Sequence, residues 1–344
     1  MQCWFARGAV PYFIAVFLSS FVQMGLFILF QRWLSFSFTG ASFFWRSMLL
    51  QFSLFVPCIF MVAPASFFSC RFPKGRVMAW SSFGMTLTLV AIAVLFGLDI
   101  GWVAFGLMLL FGIFLSIHSP AKLGILKELF GDENLAKANA WQSFFAILGM
   151  VLVSFLTISI NPGEDSLLHY EILPYIFLGM SFLGTISSFF IHGGKIRPSI
   201  KMRSPTRNLQ ATWSVPLIRM SILGLAIFWG IAQMFVVLSQ DISGEQLVSV
   251  FQGSLIFAAI GIVVGSFIAA KASEQFVEIG LVPVAAVGAA VSMVCLFFVD
   301  SIVLTAIFYA LLGIFAGANF IVLKTVIQHY SRPDSSGRVL AVAN

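Results

Sequence analysis

The chain contains ten long apolar runs, and these runs restrict the possible fold more than any other feature. Each has roughly 20 residues or more, the length that a helix needs to cross a hydrocarbon core about 30 Å thick. A helix also bonds its backbone polar groups internally, as that core demands. The predicted spans are Pro11–Leu34, Phe44–Phe68, Val77–Leu98, Trp102–Ala121, Ala138–Ile160, Ile172–Ile191, Val215–Leu238, Leu247–Ala270, Phe276–Val299 and Ile302–Leu323.

Composition agrees with an all-α multi-pass membrane protein. Hydrophobic residues make up 60% of the chain and charged residues 9%, whereas charged residues are near a quarter of an ordinary soluble domain. The first run is too long for the core of a signal peptide, so we expect it to be retained as a span. The cysteines lack a CxxC pair or another pairing pattern, so neither a disulfide framework nor zinc is indicated, and no cofactor is expected. They are Cys3, Cys58, Cys70 and Cys295.

Lysine and arginine residues predict the orientation, because they concentrate in cytoplasmic loops. With the N-terminus in the cytoplasm, all of the 19 basic residues except Arg32 and Arg46 fall on that side. The distribution also explains the net charge of +6 without a nucleic-acid partner. The cytoplasmic positions include Lys74, Lys201 and Lys271, and the periplasmic ones include Asp99, Glu164 and Asp300.

A repeated pattern divides the chain into two similar halves. Phe111–Trp141 and Leu312–Asn344 share three landmarks in the same order, at offsets of 201, 202 and 205 residues. Duplicated halves are typical of membrane transporters. The landmarks are Gly112-Ile113-Phe114 with Gly313-Ile314-Phe315, Lys122 with Lys324, and Ala138-Asn139 with Ala343-Asn344.

The repeat predicts three regions. An N-terminal six-helix bundle covers residues 1–192, a basic linker covers 193–214, and a C-terminal bundle covers 215–344. The last region has four spans, two short of a second set of six. The linker carries five basic residues, which we interpret as a topology signal; contact with anionic lipid, worth about 1 kcal/mol per basic residue, is the alternative.

The loop after span two resembles a motif of the major facilitator superfamily. Phe68–Arg76 is similar to that family's Asp-Arg-x-x-Arg/Lys-x-Arg, with Cys70 where the Asp is expected and Ser66 where its Gly is. The resemblance implies two pseudo-symmetric helical bundles around a central cavity, with about ten of an expected twelve spans present.

Other segments resemble the bacterial lysophospholipid transporters, including those fused to an acyl-acyl-carrier-protein synthetase and acyltransferase. The chain departs from that family in span one, where Gln23 and Met24 replace an acidic residue and Asn. In span seven, Val236 or a neighbour stands at the position of an Arg. The similar segments are Ser119–Lys122 with Gly124–Leu126, Glu128-Leu129, Ala138-Asn139, Phe17–Ser19, Phe228–Gly230 and Glu278–Pro283.

The resemblance implies movement of lysophospholipid across the bacterial inner membrane for reacylation. The partners it implies are the lysophospholipid, membrane lipids and an acyltransferase or acyl-carrier-protein synthetase. The alternatives are a carrier for another small anionic metabolite and a non-transporting membrane anchor for an acyltransferase.

No nucleophile–base or metal-ligand spacing appears, so we do not expect an enzyme. All 13 acidic residues lie at span ends or in loops, which argues against a proton-coupled drug exporter.

Two residues of span four are the leading candidates for a substrate site. The resemblance implies that Lys122 binds the phosphate of a lipid. Alternatively, its side chain only extends to the membrane–water interface. We expect Pro120 to disrupt the helix just before Lys122. His118 is the only ionisable residue well inside a span, so it could carry a coupling proton, or it could simply bond to a neighbouring hydroxyl.

Uncharged polar residues in the middle of spans complete the predicted site. Such groups could line a central cavity, or they could form interhelical hydrogen bonds. Two glycine pairs, Gly261-xxx-Gly265 and Gly313-xxx-Gly317, predict close helix packing. The full predicted substrate site is Lys122, His118, Gln23, Gln233, Ser119, Trp229 and Asn319.

Overall fold

The computed structural model describes residues 8–159, 167–193, 200–241, 245–299, 301–332 and 335–344. Of residues 158–159, 167–171, 233–241 and 245–255 it describes the backbone only. In these ranges the chain forms helices and no strands, which confirms the predicted all-α fold. The helices are α1 (Ala9–Ser37), α2 (Gly40–Phe60), α3 (Val62–Arg71), α4 (Lys74–Gly97), α5 (Gly101–Phe130), α6 (Leu135–Ser159), α7 (Leu167–Phe189), α8 (Pro205–Trp213), α9 (Pro216–Asp241), α10 (Glu245–Ala272), α11 (Leu281–Leu296), α12 (Ile302–His329) and α13 (Ser336–Ala343).

Each of the ten predicted spans falls on a helix or a helix pair. Within the described residues, α1, α2, α4, α5, α6, α7 and α12 are each long and apolar enough to cross a membrane. Shorter apolar stretches, Ile256–Ala272 and Leu281–Leu296, lie in predicted spans eight and nine, and α9 covers span seven. Many large apolar side chains are exposed, including Phe297 at 90%, as expected for lipid-facing surfaces. The protein is therefore a multi-pass membrane protein.

Predicted span two is broken near its middle. The helix pauses at Met61, between α2 and α3, and Pro64 follows in the first turn of α3. A proline has no N–H to donate to the carbonyl four residues earlier, and its ring clashes with that carbonyl. The break therefore follows from the position of Pro64.

Two expectations do not match the helices. Pro120 does not disrupt the helix as expected, because α5 runs through it to Phe130. The missing N–H of an interior proline removes one hydrogen bond, which a long helix can tolerate when its other bonds remain. The ninth span begins later than predicted, at Leu281 rather than Phe276, with Pro283 in the first turn of α11. The N–H groups of a first turn have no intrahelical acceptor, so proline is tolerated there.

The chain packs into two compact units. Unit 1 contains the described residues up to Leu129, together with Phe145–Thr212 and Arg332–Asn344. Unit 2 contains Phe130–Phe144 and the described part of Trp213–Ser331. Each copy of the sequence repeat thus contributes its long helix to one unit and the segment after it to the other. The predicted borders at residues 192 and 214 remain a prediction.

The two units are packed by different kinds of side chain. The core of unit 1 is rich in aromatic and large aliphatic groups, with Phe30 and Phe177 fully buried. In unit 2, α10 and α12 approach so closely that a Cβ atom on Gly265 would overlap the carbonyl oxygen of Ile314. A Cβ on Gly313 would overlap the carbonyl oxygen of Ala258. The predicted close packing at the two glycine pairs is therefore confirmed.

Candidate substrate site

The last turns of α5 carry the predicted phosphate contact, Lys122. Its backbone carbonyl accepts a hydrogen bond from the Tyr12 hydroxyl of α1 at 3.1 Å, which holds this turn against α1. The Lys122 side chain is half-buried. Among the described residues, no acceptor lies within hydrogen-bond distance of its Nζ atom.

Ser119 lies one turn before Lys122 and is already engaged. Its hydroxyl donates to Oδ1 of Asn344 at 2.7 Å. Asn344 is the last landmark of the second repeat copy and follows the short helix α13. The hydroxyl therefore connects α5 to the end of α13, and it can donate to a ligand only if this bond opens.

His118 is buried, with 1% of its surface exposed. Its Nδ1 atom lies 3.1 Å from the Ser81 hydroxyl and 3.4 Å from that of Ser82, both on α4. The Ser81 hydroxyl also lies 2.7 Å from the carbonyl of Val77. If the hydroxyl donates there, it accepts from Nδ1–H, and Nε2 has no partner among the described residues. The geometry matches the interpretation of His118 as a group bonded to hydroxyls.

Gln23 faces a narrow cleft inside unit 1. Its Nε2 atom is buried and has no acceptor in the described part of the chain. The cleft has a volume of about 20 Å³, close to the room that one water molecule needs. This is far too small for a lipid headgroup, although a water could satisfy the amide. The other lining residues are Ala15, Ser19, Val22, Ser82, Met85, Phe111, Ser181 and Gly184.

The remaining predicted site residues belong to unit 2. Asn319 on α12 has a buried Oδ1 atom with no donor among the described residues. Trp229 on α9 is 50% exposed and packs edge-on against Phe320 at 5.9 Å between ring centres. Gln233 lies on α9, and its side chain is outside the described residues. The membership of all seven residues in one substrate site remains a prediction.

An ion pair near the end of α5 was not predicted. Lys74, the first residue of α4, is 4% exposed, and its Nζ lies 2.5 Å from Oε1 of Glu128. It also donates to the hydroxyl of Ser336 in α13 at 3.2 Å. The signal was present in the sequence, since Lys74 occupies a basic position of the loop motif and Glu128 lies in a segment similar to the transporters. Nothing in the sequence paired the two.

A second polar cluster, in unit 2, was also not predicted from the sequence. Asn139 on α6 is fully buried and donates to Thr325 at 3.1 Å and to Gln328 at 2.6 Å. Lys324, one turn earlier on α12, donates to the amide oxygen of Gln142. Its ammonium also lies 5.4 Å from the centre of the Phe320 ring. The Lys324 side chain is therefore buried in unit 2, where it packs against the Gln142 and Phe320 side chains.

The side chains of these two clusters make ionic and hydrogen-bonding contacts. Within the described residues, no three His, Cys, Asp or Glu side chains are grouped so that they could hold a metal ion.

The fold, the span count and the loop motif define a membrane carrier. The chain matches the family model of the Major Facilitator Superfamily over residues 12–344, and it belongs to that family. It is 25% identical to the lysophospholipid transporter LplT of Photorhabdus laumondii, over 98% of this chain and 84% of that protein. The LplT of Yersinia enterocolitica is 24% identical, over 87% of this chain and 74% of that protein.

Solved structures support the same fold. The human organic anion transporter MFSD10 superposes with a TM-score of 0.77 at 15% identity, over 98% of this chain and 89% of that chain. The proton:xylose symporter XylE has a TM-score of 0.74 at 15% identity, over 99% of this chain and 85% of that chain. At this identity the likeness extends to the fold alone.

Proposed function

We propose that this protein moves lysophospholipid across the bacterial inner membrane, toward the cytoplasmic face where it can be reacylated. The observation that carries the proposal is the half-buried ammonium of Lys122, which has no acceptor among the described residues. It lies in the Ser-Pro-Ala-Lys segment that resembles the lysophospholipid transporters. The sequence similarity to LplT proteins of two bacteria supports the same substrate class.

In the proposed mechanism, Lys122 binds the phosphate as a point charge while the acyl chain stays in lipid. Two unit charges about 4 Å apart attract by roughly 4 kcal/mol at an effective dielectric of 20, before desolvation costs. The Tyr12 hydroxyl bond to the Lys122 carbonyl fixes the backbone from which this side chain extends. Transport then requires one bundle to rock against the other, as in carriers built from two repeats.

We also propose that the N-terminus lies in the cytoplasm, on the basis of the lysine and arginine distribution. A membrane-impermeant thiol reagent added to intact cells should label a cysteine at Asp99 and not one at Lys201 or Lys271. Lys201 and Lys271 are exposed, so they are better reporters than the buried Lys74. Labelling of position 201 in intact cells would overturn this orientation.

Uptake into proteoliposomes tests the substrate. We expect purified protein to translocate fluorescent lysophosphatidylethanolamine, with unlabelled lysophospholipid as a competitor. Competition by small organic anions, and not by lysophospholipid, would favour a carrier of another metabolite. Absence of transport of either class, with retained binding of an acyltransferase, would favour the membrane anchor.

A further inference from the structure

The short helix α8 exposes large apolar side chains and buries two polar ones. Asn208 and Thr212 are each 1% exposed, whereas Leu209 is 47% and Trp213 is 36% exposed. Leu209 and Trp213 are four residues apart, so they lie on the same flank of the helix. The helix therefore exposes Leu209 and Trp213 together with polar residues such as Thr206 and Gln210, while Asn208 and Thr212 are buried.

Exposed basic residues lie next to this apolar flank in the sequence. Lys201 and Arg203 precede α8 and Arg207 lies within it, and all three are exposed. Met202, between the first two, is 54% exposed. Alternating basic and apolar exposed residues is the pattern of a segment that lies in the headgroup region of a membrane.

A neighbouring arginine adds to the positive charge. The pKa of Arg338 in α13 is lowered, first by burial and then by the nearby charge of Arg203. Two guanidinium groups that repel each other are stabilised when an anion lies beside them. The region around Arg203 thus has an excess of positive charge that a phosphate group could neutralise.

The length of α8 limits what its apolar flank can contact. Nine residues at 1.5 Å each make a helix about 13 Å long, too short to cross a hydrocarbon core about 30 Å thick. Exposed Trp and Leu beside basic residues fit the boundary between headgroups and acyl chains. Anionic headgroups give the cytoplasmic surface a negative potential that attracts such a segment.

We propose that Lys201–Trp213 binds anionic phospholipids of the cytoplasmic leaflet, with Leu209 and Trp213 inserted at the level of the headgroups. The bound lipid is a component of the bilayer and is distinct from the transported substrate at Lys122. The proposal goes beyond the proposed function and depends only on the proposed cytoplasmic side for position 201. Charge complementarity and the apolar flank together favour a lipid surface over an acyltransferase as the occupant.

Quenching by nitroxide lipids tests this contact in the full-length protein. A fluorophore is attached to Leu209→Cys in a background with the native cysteines replaced by serine. The protein is placed in nanodiscs of phosphatidylcholine, alone or mixed with phosphatidylglycerol. We expect headgroup-level nitroxides to quench the fluorophore at least twofold more strongly in the anionic nanodiscs, and this difference to disappear in K201Q/R203Q/R207Q. Lys271→Gln, an exposed basic position outside this segment, is the matched control and should retain the difference.

Other outcomes would overturn the proposal. Equal quenching in neutral and anionic nanodiscs, or an undiminished difference in the triple variant, excludes anionic lipid as the ligand. Reversal by inorganic phosphate would assign the basic residues to a free anion, and reversal by lysophospholipid alone would assign them to the substrate. Lysophospholipid uptake measured on the same samples separates failure of this contact from failure of the proposed function, and size-exclusion profiles verify that the variants fold.

Discussion

The two repeat copies place equivalent lysines in different surroundings. Lys122 is half-buried on α5, and no described acceptor lies near its ammonium. Lys324, its counterpart on α12, is 6% exposed, donates to Gln142 and lies over the ring of Phe320. Matching positions in a repeat therefore do not imply matching roles, because the contacts of a side chain depend on the residues that the fold brings to it.

The ends of the two long helices differ in the same way. In the first copy, α5 ends with Glu128, which forms an ion pair with Lys74. In the second copy, Thr325 and Gln328 near the end of α12 accept neutral hydrogen bonds from Asn139. His329, the last residue of α12, lies 3.5 Å from the carboxylate of Asp132. The charged contact of the first copy is therefore more deeply buried than that of the second, where the His329 and Asp132 side chains are 40% and 48% exposed.

The largest expected difference is between substitutions of the two lysines. Lys122→Ala should reduce lysophospholipid uptake into spheroplasts at least tenfold at normal membrane insertion. A hydrogen bond to a charged group contributes roughly 1.5–3 kcal/mol, which is about tenfold to a hundredfold in affinity. Lys122→Arg should retain part of the activity, because the charge remains while its geometry changes.

Lys324→Met is the matched variant in the second copy. It should have a smaller effect on uptake and should instead lower the apparent melting temperature, because Gln142 loses a donated hydrogen bond. Wild-type uptake by Lys122→Ala at equal expression would show that Lys122 only marks the membrane interface. A tenfold loss in Lys324→Met with unchanged stability would show that both copies contact the substrate.

The ion pair of the first copy should have the next largest effect. Glu128→Ala leaves the buried Lys74 ammonium without its carboxylate partner. We expect the free energy of unfolding to fall by about 1–3 kcal/mol. This is less than the roughly 3–5 kcal/mol of a fully buried pair, because the Glu128 side chain is 26% exposed. The apparent melting temperature in detergent measures the effect.

A double variant separates charge from packing. Lys74→Met with Glu128→Leu should recover most of the stability, because replacing both charges with apolar groups of similar size is often neutral. If the double variant is as unstable as Glu128→Ala, the loss comes from packing and the ion pair has little influence on stability.

The sequence predicted the spans, the glycine contacts and the repeat, because these depend on local composition and spacing. It could not pair Lys74 with Glu128, which are 54 residues apart, since several charged residues lie at span ends and any two could meet. It also predicted a disruption at Pro120, because an interior proline usually breaks a helix, whereas α5 continues through Pro120 to Phe130. The burial of Lys324 depends on Gln142, for which the repeat supplied no landmark.

The smallest expected difference is between the two asparagines that end the repeat copies. Asn139 is fully buried and donates two hydrogen bonds, whereas Asn344 is exposed and accepts one from Ser119. A neutral hydrogen bond contributes about 0.5–1.5 kcal/mol. Asn139→Ala should therefore destabilise the protein by about 1–2 kcal/mol, and Asn344→Ala by less than about 0.5 kcal/mol, as is usual for surface substitutions.

A double-mutant cycle between Asn139→Ala and Thr325→Val assigns the larger loss to the bond between these residues. Groups in direct contact show coupling energies of about 0.5 kcal/mol or more, whereas independent positions are additive. Additive losses would mean that Asn139 stabilises the protein through its fit against the neighbouring helices. Equal losses for the two asparagine variants would contradict the difference between the copies, because the second copy's segment would then be held as firmly as the first copy's.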